Sequence, residues 1–67
     1  MEFELIGCRS YLKELQKKFL LRYEYSKKDF RVFITISNVS DFIEIIKLIG
    51  ENIIIREDKT IETEIDW

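Results

Sequence analysis

The chain has 67 residues, of which 46% are hydrophobic and 36% charged, a composition typical of a globular protein and not of a disordered chain. Its length leaves room for a single domain, predicted over residues 1–67, and no apolar run approaches the roughly 18 residues of a membrane span. The net charge of -2 argues against a dedicated nucleic-acid binder, and an acidic start unlike a secretory signal predicts a cytoplasmic protein.

The first predicted elements are a strand and a helix. Residues 1–6 alternate with the period of a half-buried strand, and Gly7 ends it. Ser10 is a candidate N-cap for an amphipathic helix whose apolar positions are three and four residues apart, although the helix could begin as early as Cys8. That apolar side carries Leu12, Leu15 and Phe19.

A β-hairpin is predicted next, because residues 21–25 and 30–37 are rich in aromatic and β-branched residues and flank a polar loop, residues 26–29. One register satisfies both faces of this hairpin. On the apolar face it pairs Tyr25 with Phe30, Tyr23 with Val32 and Leu21 with Ile34. On the polar face it pairs Glu24 with Arg31 as an ion pair and Arg22 with Phe33 as a cation–π contact. A shift of one residue would destroy both sets.

The second predicted helix has two candidate N-caps, Asn38 and Ser40, and Gly50 at its C-terminal end. Its predicted buried stripe consists of Phe42, Ile45, Ile46 and Ile49. Leu48 falls on the polar side, and Val39 and Ile43 lie at the margin of the stripe. Such apolar residues indicate either loose patterning or part of an interface.

Two further strands, residues 52–56 and 60–66, form a second predicted hairpin around Glu57-Asp58-Lys59. A three-residue loop places Ile53 and Ile55 on the same face as the apolar residues of the last strand, whereas a two-residue turn would set them opposite glutamates. The three-residue loop is therefore preferred. The residues of the last strand on that face are Ile61, Thr63 and Ile65.

The predicted fold class is α+β. The first six elements, up to about residue 57, have the order of a ferredoxin-like βαββαβ sandwich, in which two helices cover one face of an antiparallel sheet, here with an extra C-terminal strand. The resemblance concerns topology alone. It implies no function, because this fold serves many unrelated activities.

The sequence offers little for catalysis, and we expect no enzyme, no cofactor and no metal. It has no histidine, and its single cysteine, Cys8, cannot form an intramolecular disulfide or a Cys/His zinc site. Cys8 sits at a strand-to-helix junction where Arg9 could lower a thiol pKa, yet no neighbouring base is available to activate a nucleophile. A structural thiol is the preferred interpretation.

Two ferredoxin-like families have site residues that this sequence matches only in part. Ferredoxin-like acylphosphatases hold phosphate with an arginine in the loop occupied here by Gly7-Cys8-Arg9-Ser10, but their glycine-rich loop is absent, and Asn38 suits a helix cap better than their asparagine. RNA-recognition modules carry stacking aromatics on the open face of the sheet. Phe30 and Phe33 are three residues apart and point to opposite faces, so only Phe33 is open.

The charge is divided along the chain. Residues 9–31 hold eight lysines and arginines against three acids, whereas residues 32–67 hold three basic residues against eight acids. Three explanations remain open: chance, protein binding by the acidic part, and weak nucleic-acid binding by the basic part without sequence preference.

The leading prediction is a small protein-binding module that presents an acidic surface to a basic partner, for example a phage or mobile-element inhibitor of a nucleic-acid-binding protein. Its predicted contact residues are Leu48, Ile54, Glu57, Asp58, Glu62, Glu64, Asp66 and Trp67. The alternative is a nucleic-acid-binding module that uses Lys13, Lys17, Arg22, Lys27 and Lys28. A third hypothesis is a homodimer or larger oligomer that senses a small ligand between its subunits. No membrane partner is expected.

Overall fold

The computed structural model describes residues 1–50 and 52–63. Two helices pack on one face of a five-stranded mixed sheet, so the α+β class is confirmed. The elements in chain order are β1 (Glu2–Ile6), a 3-10 turn (Arg9–Tyr11), α1 (Leu12–Lys18), β2 (Leu21–Tyr25), β3 (Phe30–Thr35), α2 (Val39–Ile49), β4 (Ile53–Arg56) and β5 (Thr60–Thr63). No helix in the described part of the chain is long and apolar enough to cross a membrane.

The strand order is β2-β3-β1-β5-β4, which differs from the expected ferredoxin-like sheet. β5 pairs in parallel with β1, whereas all other strand pairs are antiparallel. The predicted antiparallel sheet with a strand added at its end is therefore wrong. The last hairpin instead places β5 next to β1 and leaves β4 at the edge of the sheet. A hydrogen bond from the Thr63 hydroxyl to the Gly7 carbonyl joins the ends of the parallel strands β5 and β1.

The core lies between the sheet and the two helices. Four side chains are completely buried there, Leu15 from α1, Ile45 from α2, Ile34 from β3 and Ile61 from β5. Burying a side chain of this size contributes about 1.5–3 kcal/mol. Phe42 of α2 adds an edge-to-face contact with Phe3 of β1, with ring centroids 5.1 Å apart.

The register of the first hairpin is confirmed at every predicted pair, from Leu21–Ile34 to Tyr25–Phe30. The second hairpin also has its predicted register, since Ile55 pairs with Ile61 and the turn contains three residues. That turn places Lys59 at a φ of 63°, the left-handed conformation expected for the third residue of such a loop. The predicted partner Ile65 lies outside the described residues.

The two ends of α2 agree with the prediction, but the side of the helix that faces the core differs from the predicted side. Asn38 is the N-cap, because its side chain accepts a hydrogen bond from the Asp41 N–H at 3.1 Å, and Gly50 follows the helix with a φ of 95°. Leu48, predicted on the polar side, packs against the core. Ile46, predicted in the buried stripe, is 45% exposed. The helix is thus rotated about its axis relative to the predicted stripe.

The predicted N-cap of the first helix is wrong. The helical segment starts with the 3-10 turn, whose N-cap position is occupied by Cys8, so Ser10 lies inside the turn. The apolar side of the predicted helix is otherwise correct, because Leu15 is buried and Leu12 and Phe19 pack against the core.

Candidate functional site

The open face of the sheet carries a network of charged side chains around one phenylalanine. The guanidinium carbons of Arg22 and Arg31 lie 4.3 and 5.0 Å from the centroid of the Phe33 ring. The two predicted contacts are confirmed, the cation–π contact between Arg22 and Phe33 and the ion pair between Arg31 and Glu24, at 3.9 Å. We call the following set the open-face network: Glu2, Glu4, Arg22, Glu24, Arg31 and Phe33.

Bidentate hydrogen bonds anchor this network to β1. Arg22 donates to the two carboxylate oxygens of Glu2 at 2.9 and 2.8 Å, and also contacts Glu24 on its own strand. Arg31 donates to both carboxylate oxygens of Glu4 at 3.0 Å. Arg22 thus reaches across β3 from β2 to β1, whereas Arg31 lies on β3 and contacts the adjacent strand β1. Paired arginine–carboxylate contacts of this geometry are the stronger kind of ion pair.

These contacts determine the protonation of the two carboxylates. Hydrogen bonds from Arg22 lower the pKa of Glu2, and hydrogen bonds from Arg31 lower the pKa of Glu4. The same bonds raise the pKa of Arg22 and of Arg31. A general acid near neutral pH needs a carboxyl pKa that is raised. The open-face network therefore stabilises charge on its own groups and holds two of the basic residues in internal ion pairs.

A cleft of about 590 Å³ opens where β1 and β3 separate. Pairing between these strands ends at Leu5–Val32, whereas pairing between β2 and β3 continues to Tyr25–Phe30. Gly7, at a φ of 73°, turns β1 away at this point. The volume is in the range of small-ligand pockets, and the sequence gives no sign of the cleft beyond that glycine.

Cys8 lines this cleft but is itself only 3% exposed. Its sulfur lies 3.5 Å from the carbonyl oxygen of Ile6 and 4.0 Å from that of Ile61, close enough for weak hydrogen bonds. A thiol buried in this way packs as a small apolar group. Within residues 1–50 and 52–63, no three His, Cys, Asp or Glu side chains are grouped so that they could hold a metal ion.

The exposed apolar side chains in the described part of the chain include two groups outside the open face. The α2 row consists of Val39, Ile43 and Ile46, which are 73%, 49% and 45% exposed. The second group is a stack of aromatic rings on the first hairpin, Tyr25 on Phe30 and Phe30 on Tyr23, with centroid distances of 5.0 and 5.9 Å. Tyr25 is 78% exposed, because the helices do not cover this end of the hairpin.

The predicted protein-binding residues are spread over the molecule. Ile54 and Glu62 are cross-strand neighbours on the open face, where Glu62 accepts a hydrogen bond from Arg56 at 3.1 Å. Glu57 and Asp58 are exposed in the turn between β4 and β5. Leu48 lies on the opposite side of the sheet, against the core. Three predicted residues lie outside the described part of the chain: Glu64, Asp66 and Trp67.

The predicted nucleic-acid-binding residues are also divided. Lys13 and Lys17 are exposed on α1, whereas Arg22 lies on the other side of the sheet in the open-face network. Only Lys27 and Lys28 are adjacent, in the loop of the first hairpin. The five residues therefore do not form one continuous basic surface.

Sequence reasoning missed one member of the α2 row. Val39 and Ile43 are recognisable in the sequence as apolar residues at the margin of the predicted stripe, whereas the predicted stripe itself includes Ile46. The spacing of four and three residues from Val39 to Ile46 was the signal that could have identified the row.

Comparison with protein-family models, curated proteins and solved structures found no match.

Proposed function

We propose that the chain is a non-enzymatic module that binds another protein, and that the partner docks on the α2 row. The observation that carries this proposal is the exposure of Val39, Ile43 and Ile46 along one side of a single helix. Isolated exposed apolar residues are common, but a row at positions i, i+4 and i+7 is the arrangement with which a helix enters a partner's groove.

The fold itself does not require this row. Ile45 and Ile49 already provide the buried contacts of α2, and Phe42 extends them to β1. Valine and isoleucine are poorer helix formers than glutamate or lysine. At exposed positions they add little to the stability of the monomer, so a docking role accounts for them better than the fold does.

The charged residues beside the α2 row indicate which charges the partner's surface should carry. Lys47 is exposed on α2 and has no carboxylate within 4.0 Å among the described residues, whereas Glu44 is held by Lys18 of α1 at 3.4 Å. We therefore infer an apolar groove with an acidic residue near its rim. Glu57 and Asp58 form a separate acidic patch. We propose that it attracts a basic region of the same partner during encounter. An inhibitor of a nucleic-acid-binding protein would depend on these two carboxylates and on Glu62 among the described residues.

The test is affinity capture with a matched pair of variants. Ile43→Glu places a charge in the middle of the row, and glutamate is a better helix former than isoleucine, so circular dichroism should show a folded chain. Lys13→Glu changes an exposed residue of α1 and is the control. We expect a host protein that is retained by the wild type and by Lys13→Glu and falls at least tenfold with Ile43→Glu. Equal capture by all three chains would contradict the proposal.

Binding of single-stranded nucleic acid is a second candidate, favoured by the exposed ring of Tyr25 beside Lys27 and Lys28. Neither lysine has a carboxylate within 4.0 Å in the described part of the chain. An open aromatic ring next to basic side chains suits base stacking with phosphate contacts. The second hairpin, which carries Glu57, Asp58 and Glu62, consists of β5 and β4, three and four strand spacings from β2, or about 14 and 19 Å. Because the screening length is about 8 Å at physiological salt, it would repel a strand at Tyr25 only weakly.

Fluorescence anisotropy with a labelled oligonucleotide distinguishes this candidate. If it is correct, affinity falls with rising salt and drops strongly in the double variant Lys27→Glu, Lys28→Glu, whereas Lys47→Glu binds like the wild type. Absence of binding at low salt would eliminate it.

A further inference from the structure

We propose that two copies of this chain associate through the outer edges of β2, so that the two sheets join as one antiparallel sheet across a twofold axis. This inference uses a surface other than the α2 row and does not rest on the proposed function. It starts from the position of β2, an edge strand of the described sheet, with hydrogen-bonding groups along its outer side.

The backbone of β2 shows which groups face outward. The Leu20 carbonyl accepts a hydrogen bond from the Thr35 N–H at 3.1 Å and therefore points toward β3. Backbone groups alternate along a strand, so those of Arg22 and Glu24 also point toward β3. The N–H and C=O groups of the intervening residues, Leu21, Tyr23 and Tyr25, point away from the sheet.

A second copy can match these outward groups. When the twofold axis passes through Tyr23, Leu21 of each copy lies opposite Tyr25 of the other. Every outward-pointing residue of one strand then faces an outward-pointing residue of the other. Each such pair exchanges two backbone hydrogen bonds in an antiparallel ladder, and β2 contains no proline or glycine that would interrupt it.

The side chains favour the same register. On the open face, Arg22 of each copy lies opposite Glu24 of the other, which places opposite charges together twice. On the helix-covered face, the two Tyr23 rings meet, and Leu21 packs on the other copy's exposed Tyr25. Moving the axis by one residue, to Arg22 or to Glu24, would set two like charges directly opposite each other, so the charges select the axis at Tyr23.

The other edge of the sheet lacks these properties. β4 has four residues against five in β2, and Arg56 is its only charged residue. An antiparallel pair of β4 strands would therefore bring no opposite charges together. The complementarity is specific to β2, and this specificity is what identifies a second copy as the occupant.

The first experiment exchanges charges and then mixes the variants. Arg22→Glu places glutamates opposite Glu24 in its homodimer, and Glu24→Arg places arginines opposite Arg22. In analytical ultracentrifugation we expect a wild-type dimer, at least tenfold weaker self-association of each variant, and heterodimers when the two variants are mixed. A wild-type chain that stays monomeric at millimolar concentration, or a mixture that stays monomeric, would overturn the proposal.

A second pair of variants tests the backbone, because the charge changes also disturb contacts inside one chain: those of Arg22 with Glu2 and Glu24, and that of Glu24 with Arg31. Tyr23→Pro removes an outward N–H but no hydrogen bond to β3, and Tyr23→Ala removes the same ring while keeping that N–H. We expect Tyr23→Pro to be monomeric and Tyr23→Ala to retain measurable dimer, both with wild-type circular dichroism. A dimer that survives Tyr23→Pro and is lost with Ile43→Glu would assign self-association to the α2 row and refute the β2 interface.

Discussion

The two faces of the sheet are built from alternating residues of the same strands, yet different interactions stabilise them. Ile34 and Phe33 are neighbours on β3. Ile34 is completely buried under the helices, whereas Phe33 lies on the open face between two guanidinium groups. The covered face depends on excluding water, and the open face depends on cross-strand ion pairs around one ring. The comparison shows that a sheet face without a covering layer can still have defined side-chain contacts.

The covered face should give the largest effect. Ile34→Ala leaves a cavity at a position that has no exposure to solvent, and such substitutions cost about 2–5 kcal/mol. For a chain of 67 residues this is a large part of the total stability. Urea denaturation followed by circular dichroism measures the loss. A loss below about 1 kcal/mol would show that the helices do not seal this face.

The open face should give a smaller effect at the neighbouring position. Phe33→Leu keeps an apolar side chain but removes the ring that Arg22 and Arg31 contact. Exposed cation–π contacts contribute about 0.5–1 kcal/mol each, so we expect a loss of about 1–2 kcal/mol.

A double-mutant cycle separates this contact from the loss of apolar area. Combining Phe33→Leu with Arg22→Gln should give a coupling free energy of about 0.5–1 kcal/mol. Additive losses would mean that Arg22 stabilises the sheet through Glu2 and Glu24 alone.

The smallest effect on the free energy of unfolding is expected for the ion pair between Glu4 and Arg31, and this effect depends on pH. The pKa of Glu4 is lowered from its usual value of 4.5, so the folded state gains stability above that value and loses it as the pH falls through the lowered pKa. Glu4→Gln should cost about 0.2–1 kcal/mol at pH 7. The difference from the wild type should be smaller at pH 3 than at pH 7, because the ion pair is lost as the pH falls through the lowered pKa of Glu4.

Unfolding free energies at the two pH values test this expectation. Glu57→Gln removes one negative charge from an exposed turn and controls for net charge. A gap between wild type and Glu4→Gln that stays constant from pH 7 to pH 3 would contradict the assigned ion pair with Arg31.

The same contrast between faces explains which parts of the fold could be predicted. The first hairpin has an apolar pattern on one face and complementary charges on the other, so only one register satisfies both. The register of the second hairpin could be predicted in the same way, because a two-residue turn would set Ile53 and Ile55 opposite glutamates. Local caps such as Asn38 were also readable, since they depend on neighbours in sequence.

The order of the last two strands could not be read in this way. β4 contains three consecutive isoleucines, whereas β5 alternates Thr60, Ile61, Glu62 and Thr63. Apolar content alone would place β4 beside β1. The observed order has β5 there, where Ile61 is completely buried and the Thr63 hydroxyl reaches Gly7. Such contacts join residues that are far apart in sequence, and no local pattern encodes them.

The candidate surfaces depend on the same long-range information. The phase of α2 was ambiguous, because apolar residues flank the buried Ile45 on both sides, Ile46 at about 100° and Leu48 at about 60° around the helix axis. Packing decides which of them faces the core. The free edge of β2 could not be identified until the strand order was known. The charge pattern Arg22-Tyr23-Glu24 was visible in the sequence, but it indicates self-association only for a strand at an edge.

The pairing of β1 with β5 has a consequence for how the chain folds. These strands are joined by the pairs from Glu4–Thr60 to Ile6–Glu62, which are separated by 56 residues in sequence. The centre of the sheet therefore cannot close until nearly the whole described chain is available. Contacts of such long range slow folding. During synthesis, one edge of β1 would stay unpaired until the second hairpin had emerged from the ribosome. In that period the edge could pair with strands of other molecules.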